Sequence, residues 1–149
     1  MMSPSFAAGV LAYVLATFNG GYLWHLVLFN DMYLSLKVWT RFPEDIGLQL
    51  GASAVLLQQA LLVAYMLPIF QRATGRSGTL SGALFGLWVA GLVFSVAVLA
   101  HSAKNQSACV EGFVAMEGLY CLLQFPLSCS FVAFSQGRAA RQAPSKKAA

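Results

Sequence analysis

The stretch "SGTLSGALFGLWVAGLVFSVAVLAHSA", residues 77–103, carries no Lys, Arg, Asp or Glu. About 20 apolar residues in a helix cross the ~30 Å hydrocarbon core of a bilayer. An uncharged run of this length therefore reads as a membrane span. Residues 5–30 and 46–71 are equally free of charged side chains, and residues 112–137 hold only Glu117. The whole chain of 149 residues is 58% hydrophobic and 9% charged, whereas a soluble domain is about a quarter charged. Such a chain cannot cover a soluble surface.

Short stretches of strict apolar–polar alternation, the mark of a membrane β-barrel, are absent. Helices are the remaining way to satisfy backbone groups in lipid. The expected fold is an all-α, integral membrane four-helix bundle with spans at about 6–29, 46–70, 79–101 and 112–135. Residues 1–137 form this domain. Residues 138–149, with Arg138, Arg141, Lys146 and Lys147, form a basic disordered tail. A tail of this kind suits anionic lipid better than nucleic acid.

Lys and Arg in short loops set orientation. The termini and the 71–78 loop hold Arg72, Arg76, Arg138, Arg141, Lys146 and Lys147; the other side holds Lys37, Arg41 and Lys104. Both termini are thus expected in the cytoplasm. The first apolar run is too long for a signal-peptide core and lacks a basic lead, so it is expected to stay as a span. All five acids, Asp31, Glu44, Asp45, Glu111 and Glu117, fall on or just inside the outer side.

Small residues at spacing four offer close packing surfaces. They are Ala8, Ala12, Ala16 and Gly20; Gly47 and Gly51; and Gly78, Gly82 and Gly86 followed by Ala90. The pattern serves equally within one bundle or between copies. Pro126 removes a hydrogen bond from the Leu122 carbonyl and predicts a kink. Pro68 lies near the inner end of the second span. The segment Asn30 to Asp45, with Tyr33, Trp39 and Phe42 among charges, reads as an interfacial stretch anchored by aromatics. Ser77 or Thr79 is expected to cap the third helix.

Cys109, Cys121 and Cys129 show no C-x-x-C spacing, which speaks against disulfide exchange. No nucleophile elbow, phosphate-binding loop or paired-carboxylate motif is present. The sequence thus reads as non-enzymatic.

Depth arithmetic singles out one layer. At 1.5 Å per residue, His25 lies about 6 Å inside the outer end of its span and Glu117 about 7.5 Å inside its own. Gln49, Ser53 and His101 fall at similar heights. On the fourth helix Glu117, Cys121, Gln124, Ser128 and Ser135 fall within about 60° of one another, a polar stripe. On the first, Thr17, Gly21 and His25 follow at spacing four. An ionisable group in a span is by default a functional candidate. Glu117 equally suits a structural tie to His25, His101 or Lys104. His25 and His101 are the candidates for metal or haem ligation, but metal-ligand spacings such as H-x-x-H are lacking, and no cofactor is assigned.

"WHLVLFNDMY" (24–33), "LPIF" (67–70), "SGALFGLWVAG" (81–91), "VLAHSAKNQ" (98–106) and "LLQF" (122–125) together resemble a group of small bacterial four-span membrane proteins of unknown function. The resemblance implies a bacterial inner-membrane protein and no particular activity. The matching segments hold His25, Asp31, His101, Lys104 and Gln124.

The expected protein is multi-pass and non-enzymatic. Its polar layer (His25, Asp31, Gln49, Ser53, His101, Lys104, Glu117, Gln124) would bind a small polar molecule, an ion or a lipid headgroup. A homo-oligomeric small-solute transporter with Glu117 as protonatable group is the first alternative. A redox protein with haem or metal on His25 and His101 is the second. The expected partners are the lipid bilayer, a second copy and a small ligand, with no nucleic acid.

Overall fold

A computed structural model describes residues 3–37, 46–104 and 109–142. These are helical almost throughout, with no strand among them. The elements are α1 (Pro4–Tyr22), a π-helical turn (Leu23–Leu28), α2 (Asn30–Ser35), α3 (Ile46–Thr74), α4 (Gly78–Val93), a second π-helical turn (Phe94–Leu99), α5 (Ala100–Lys104) and α6 (Val110–Gln142). Four continuous helical runs are long and apolar enough to cross a membrane: Pro4–Leu28, Gln49–Thr74, Gly78–Lys104 and Val110–Gln142. The expected four-helix bundle is what the chain forms.

Local chemistry explains the helix ends. Ser3 caps α1 by accepting the Phe6 N–H at 3.2 Å, with Pro4 in the first turn, where its missing N–H matters least. α3 ends in a Schellman motif: the Gly75 N–H reaches the Arg72 carbonyl and the Arg76 N–H reaches the Gln71 carbonyl. Gly75 takes the left-handed φ of +65° that this motif needs. Ser77 stands at the N-cap of α4, but its side chain makes no capping bond, so only its expected position is met. Cys109 Sγ accepts the Gly112 N–H at 3.3 Å at the start of α6.

α6 is the central helix, flanked by α4 and α1, with α3 packed mainly on α1. The small-residue seam of α4 is used within the chain. Gly82, Gly86 and Ala90 are buried, and a Cβ on Gly86 would lie 2.5 Å from the Phe125 carbonyl oxygen and the Pro126 Cα. A Cβ on Gly82 would meet the Cys129 carbonyl. Backbones approach this closely only where side chains are missing. Gly51 of α3 has nothing within 4 Å.

α3 buries Ala60, Val63, Ala64 and Leu67, the i, i+3, i+4, i+7 face of its second half. Its first half is exposed from Gln49 to Val55. α6 continues as one helix through Pro126 to Gln142, so Arg138 and Arg141 lie on a helix rather than in a disordered tail. Residues 143–149 lie outside the described residues.

Candidate functional site

The π turn at Leu23–Leu28 shapes the acid-bearing end of the bundle. Its signature is the Phe29 N–H bonding the Trp24 carbonyl five residues back, at 3.1 Å. The wider turn takes a smaller angular step per residue. Consecutive Trp24 and His25 thereby face the same cluster. Phe29 then leaves helical geometry (φ −126°, ψ 16°) and the chain folds back as α2.

That fold-back corrects one expectation. Tyr33 is not an interfacial anchor: it is 1% exposed and points into the bundle. Its hydroxyl donates to Glu117 Oε1 at 2.6 Å and accepts from the Trp24 indole N–H at 3.1 Å. Burial, and then the Glu117 carboxylate, hold this hydroxyl well above tyrosine's ordinary range, so it donates at any physiological pH. Trp39 and Phe42, the other expected anchors, lie outside the described residues.

His25 Nδ1 stands 4.0 Å from Glu117 Oε1, with the two side chains 25% and 16% exposed. The His25 ring meets Tyr33 edge-on at 4.9 Å and Tyr120 at 4.6 Å between centroids. Trp24 lies 5.7 Å from Tyr120 and 4.4 Å from Phe29. Glu117 thus adjoins Tyr33 and His25, whose rings continue through Tyr120 to Trp24 in one aromatic cluster. Its Oε1 takes the Tyr33 hydrogen, while Oε2 accepts no hydrogen bond among the described residues. The second π turn supports the arrangement from behind, since Phe94 packs against Gly118, where a Cβ would sit 3.1 Å from its ring.

The other expected site residues divide. Gln124 is buried one to two turns deeper on the same face. Its amide donates to Ser128 Oγ at 2.6 Å, which also accepts from Thr17 Oγ1 at 3.0 Å. The Gln124 side chain occupies the space left by Gly20. His101 is exposed, with its ring 5.4 Å from Phe113. Asp31 and Lys104 are exposed at the tips of α2 and α5. Gln49 and Ser53 lie on the exposed first half of α3.

The structure thus joins His25 and Glu117 and stacks Gln124 beneath them. Sequence reasoning missed Trp24, Tyr33 and Tyr120. The only available signal was that Trp24 flanks His25 and Tyr120 lies three residues beyond Glu117, on its helix face. No group of three or more His, Cys, Asp or Glu side chains gathers among the described residues.

No family model, curated protein or solved structure matches this chain. The likeness to small membrane proteins therefore rests on the architecture of four apolar helices.

Proposed function

We propose that the cluster around Glu117 is a binding site for a small organic cation: an ammonium group, free in solution or at the head of a lipid. The protein would be a non-enzymatic, multi-pass component of a bacterial inner membrane. The observation that carries the reading is a largely buried carboxylate beside a cluster of four aromatic side chains, held by Tyr33 through one oxygen, with no hydrogen bond to the other among the described residues. Aromatic faces attract desolvated cations, by about 2 kcal/mol or more in dry sites. A carboxylate supplies the opposite charge, and Tyr33 fixes its orientation.

The excess of Lys and Arg at the α3–α4 turn and the C-terminal end supports cytoplasmic termini, which puts the cluster in the outer leaflet. A reporter fused after Ala149 should be active only in the cytoplasm.

The test of binding is titration of the detergent-purified, lipid-stripped chain with choline and with its uncharged carbon isostere, followed by Trp fluorescence. Choline should bind, and the isostere should bind at least about tenfold more weakly. Equal binding of the two would discard the cation reading. If phosphatidylcholine saturates the signal and free choline does not, the source is the lipid.

The polar face running inward from Glu117 through Gln124, Ser128 and Thr17 favours a second reading. In it, a homo-oligomer moves the solute and Glu117 carries a coupling proton. Proteoliposomes should then show solute flux driven by a proton gradient and lost in Glu117→Gln.

A further inference from the structure

At the opposite end of the bundle, a cleft of about 430 Å³ opens between α1, α3 and α6. Its construction begins with Pro68. A proline lacks the N–H that would bond the carbonyl four residues earlier, so the Ala64 carbonyl has no helical donor. Gln136 supplies one: its Nε2 reaches from α6 to the Ala64 oxygen at 2.8 Å. Gly9 makes the crossing feasible, because a Cβ there would lie 2.6 Å from that nitrogen.

The Ala64 carbonyl fixes the amide's orientation, since an oxygen in that place would face another oxygen. Gln136 Oε1 is therefore held on the other side. Gln136 is 8% exposed, and this oxygen has no hydrogen-bond partner among the described residues. A buried, unpaired carbonyl keeps its desolvation cost until a donor reaches it. Gln136 lines the cleft together with Phe6, Ile69 and the ring of Tyr65, while Arg72, Gln71, Ser3 and Ser5 form its polar part.

Arg72 is exposed and forms no ion pair among the described residues. The acids among the described residues are Asp31, Glu111 and Glu117, all at the other end, so the basic side chains here meet no acidic one among the described residues. An apolar stretch of wall, an exposed arginine with no ion pair among the described residues and a buried acceptor have a common complement. It is a phosphate with a hydroxyl-bearing headgroup attached to acyl chains.

We propose that this cleft is a binding site for an anionic phospholipid with a hydroxylated headgroup. Its phosphate sits on Arg72, a headgroup hydroxyl donates to Gln136 Oε1, and its chains lie along Phe6, Tyr65 and Ile69. Arginine engages phosphate through paired N–H groups, which fixes headgroup orientation.

The test uses the full chain, purified in detergent and stripped of lipid. Phosphatidylglycerol is added back, with native mass spectrometry counting retained lipid and thermal unfolding recording the shift. Wild type should retain the lipid and unfold at higher temperature. Arg72→Gln and Ala140→Trp, whose indole fills the cleft from the turn after Gln136, should each weaken retention at least about tenfold. Gln136→Leu also exposes the Ala64 carbonyl, so it is read only if it folds, and then with the same expected loss. Undiminished retention in Arg72→Gln and Ala140→Trp would overturn the site. So would an equal shift from diacylglycerol of the same chains, which reports an apolar slot alone. An equal shift from inorganic phosphate would overturn the lipid in favour of a small anion.

Discussion

The two ends of this bundle solve the same problem with different materials. Around Glu117, ionisable and aromatic side chains meet on helices widened by π turns. From Gly82 to the α3–α4 turn, small residues and neutral amides and hydroxyls hold helices of ordinary pitch. Ser81 accepts from Gln71 at 2.8 Å, Ser130 donates to the Thr79 carbonyl at 3.1 Å, and Tyr13 donates to Gln59 at 3.1 Å. Neutral ties of this kind average about 0.6 kcal/mol in membrane proteins. They specify which helices adjoin, while close backbone packing supplies most of the stability. A charged group adds little to such an end and costs more to bury. Its presence at the other end is what makes the Glu117 cluster the candidate site there.

If the packing end depends on missing side chains, restoring one should have the largest effect. Gly82→Val places a branched side chain where even a Cβ meets the Cys129 carbonyl. The neighbouring atoms are backbone and cannot turn aside. The expected loss is about 3 kcal/mol or more, seen as a collapse of monodisperse yield. Gly51→Val, with nothing within 4 Å, is the matched control and should leave yield unchanged. Equal losses would mean that α4 does not dock on α6 through this seam.

At the Glu117 end the expected effect is on binding before stability. Glu117→Gln keeps an acceptor for the Tyr33 hydroxyl and removes the charge. Choline affinity should fall at least about tenfold while the unfolding temperature stays close to wild type. A large drop in unfolding temperature with unchanged affinity would return Glu117 to a purely structural tie.

Tyr33→Phe comes next. It deletes the Tyr33 hydrogen bond that orients the carboxylate and strands the Trp24 indole. Bonds to charged groups contribute about 1.5–3 kcal/mol, and the partial exposure of Glu117 lets water recover some of this. A loss of about 1–2 kcal/mol is expected by chemical denaturation. A change within error would detach α2 from the cluster.

The same contrast governs how much was legible beforehand. Charge-free length alone reveals the four spans. A 100° step reveals the face of α6 that buries Cys121, Gln124 and Ser128, because α6 keeps α-helical pitch there. The cluster resisted for geometric reasons. Depth arithmetic fixes height along a helix but not whether that stretch packs inward, and Gln49 and Ser53, matched to Glu117 in height, are exposed. Tyr33 had the composition of an interfacial belt, and only the break at Phe29 turns it inward. No residue type announces a π turn. Gln136 had a usable clue in Pro68, whose unpaired Ala64 carbonyl had to find a donor from another helix.

The smallest expected effect lies between the two ends, at Thr17 and Ser128. Thr17→Val is nearly isosteric and removes the 3.0 Å bond to Ser128 together with a hydroxyl contact to Tyr13, which keeps its own bond to Gln59. Ser128 still accepts from Gln124, so no buried oxygen is orphaned. The loss should be about 0.6 kcal/mol, near the average for interhelical hydrogen bonds in membranes. Ser128→Ala should cost more, because it also strands the Gln124 amide in the space beside Gly20. In a double-mutant cycle the two substitutions should couple by about 0.5 kcal/mol. A coupling several times larger would show that the middle of the bundle belongs to the Glu117 network rather than to the neutral packing below it. The boundary between chemistry and scaffold would then move two turns inward.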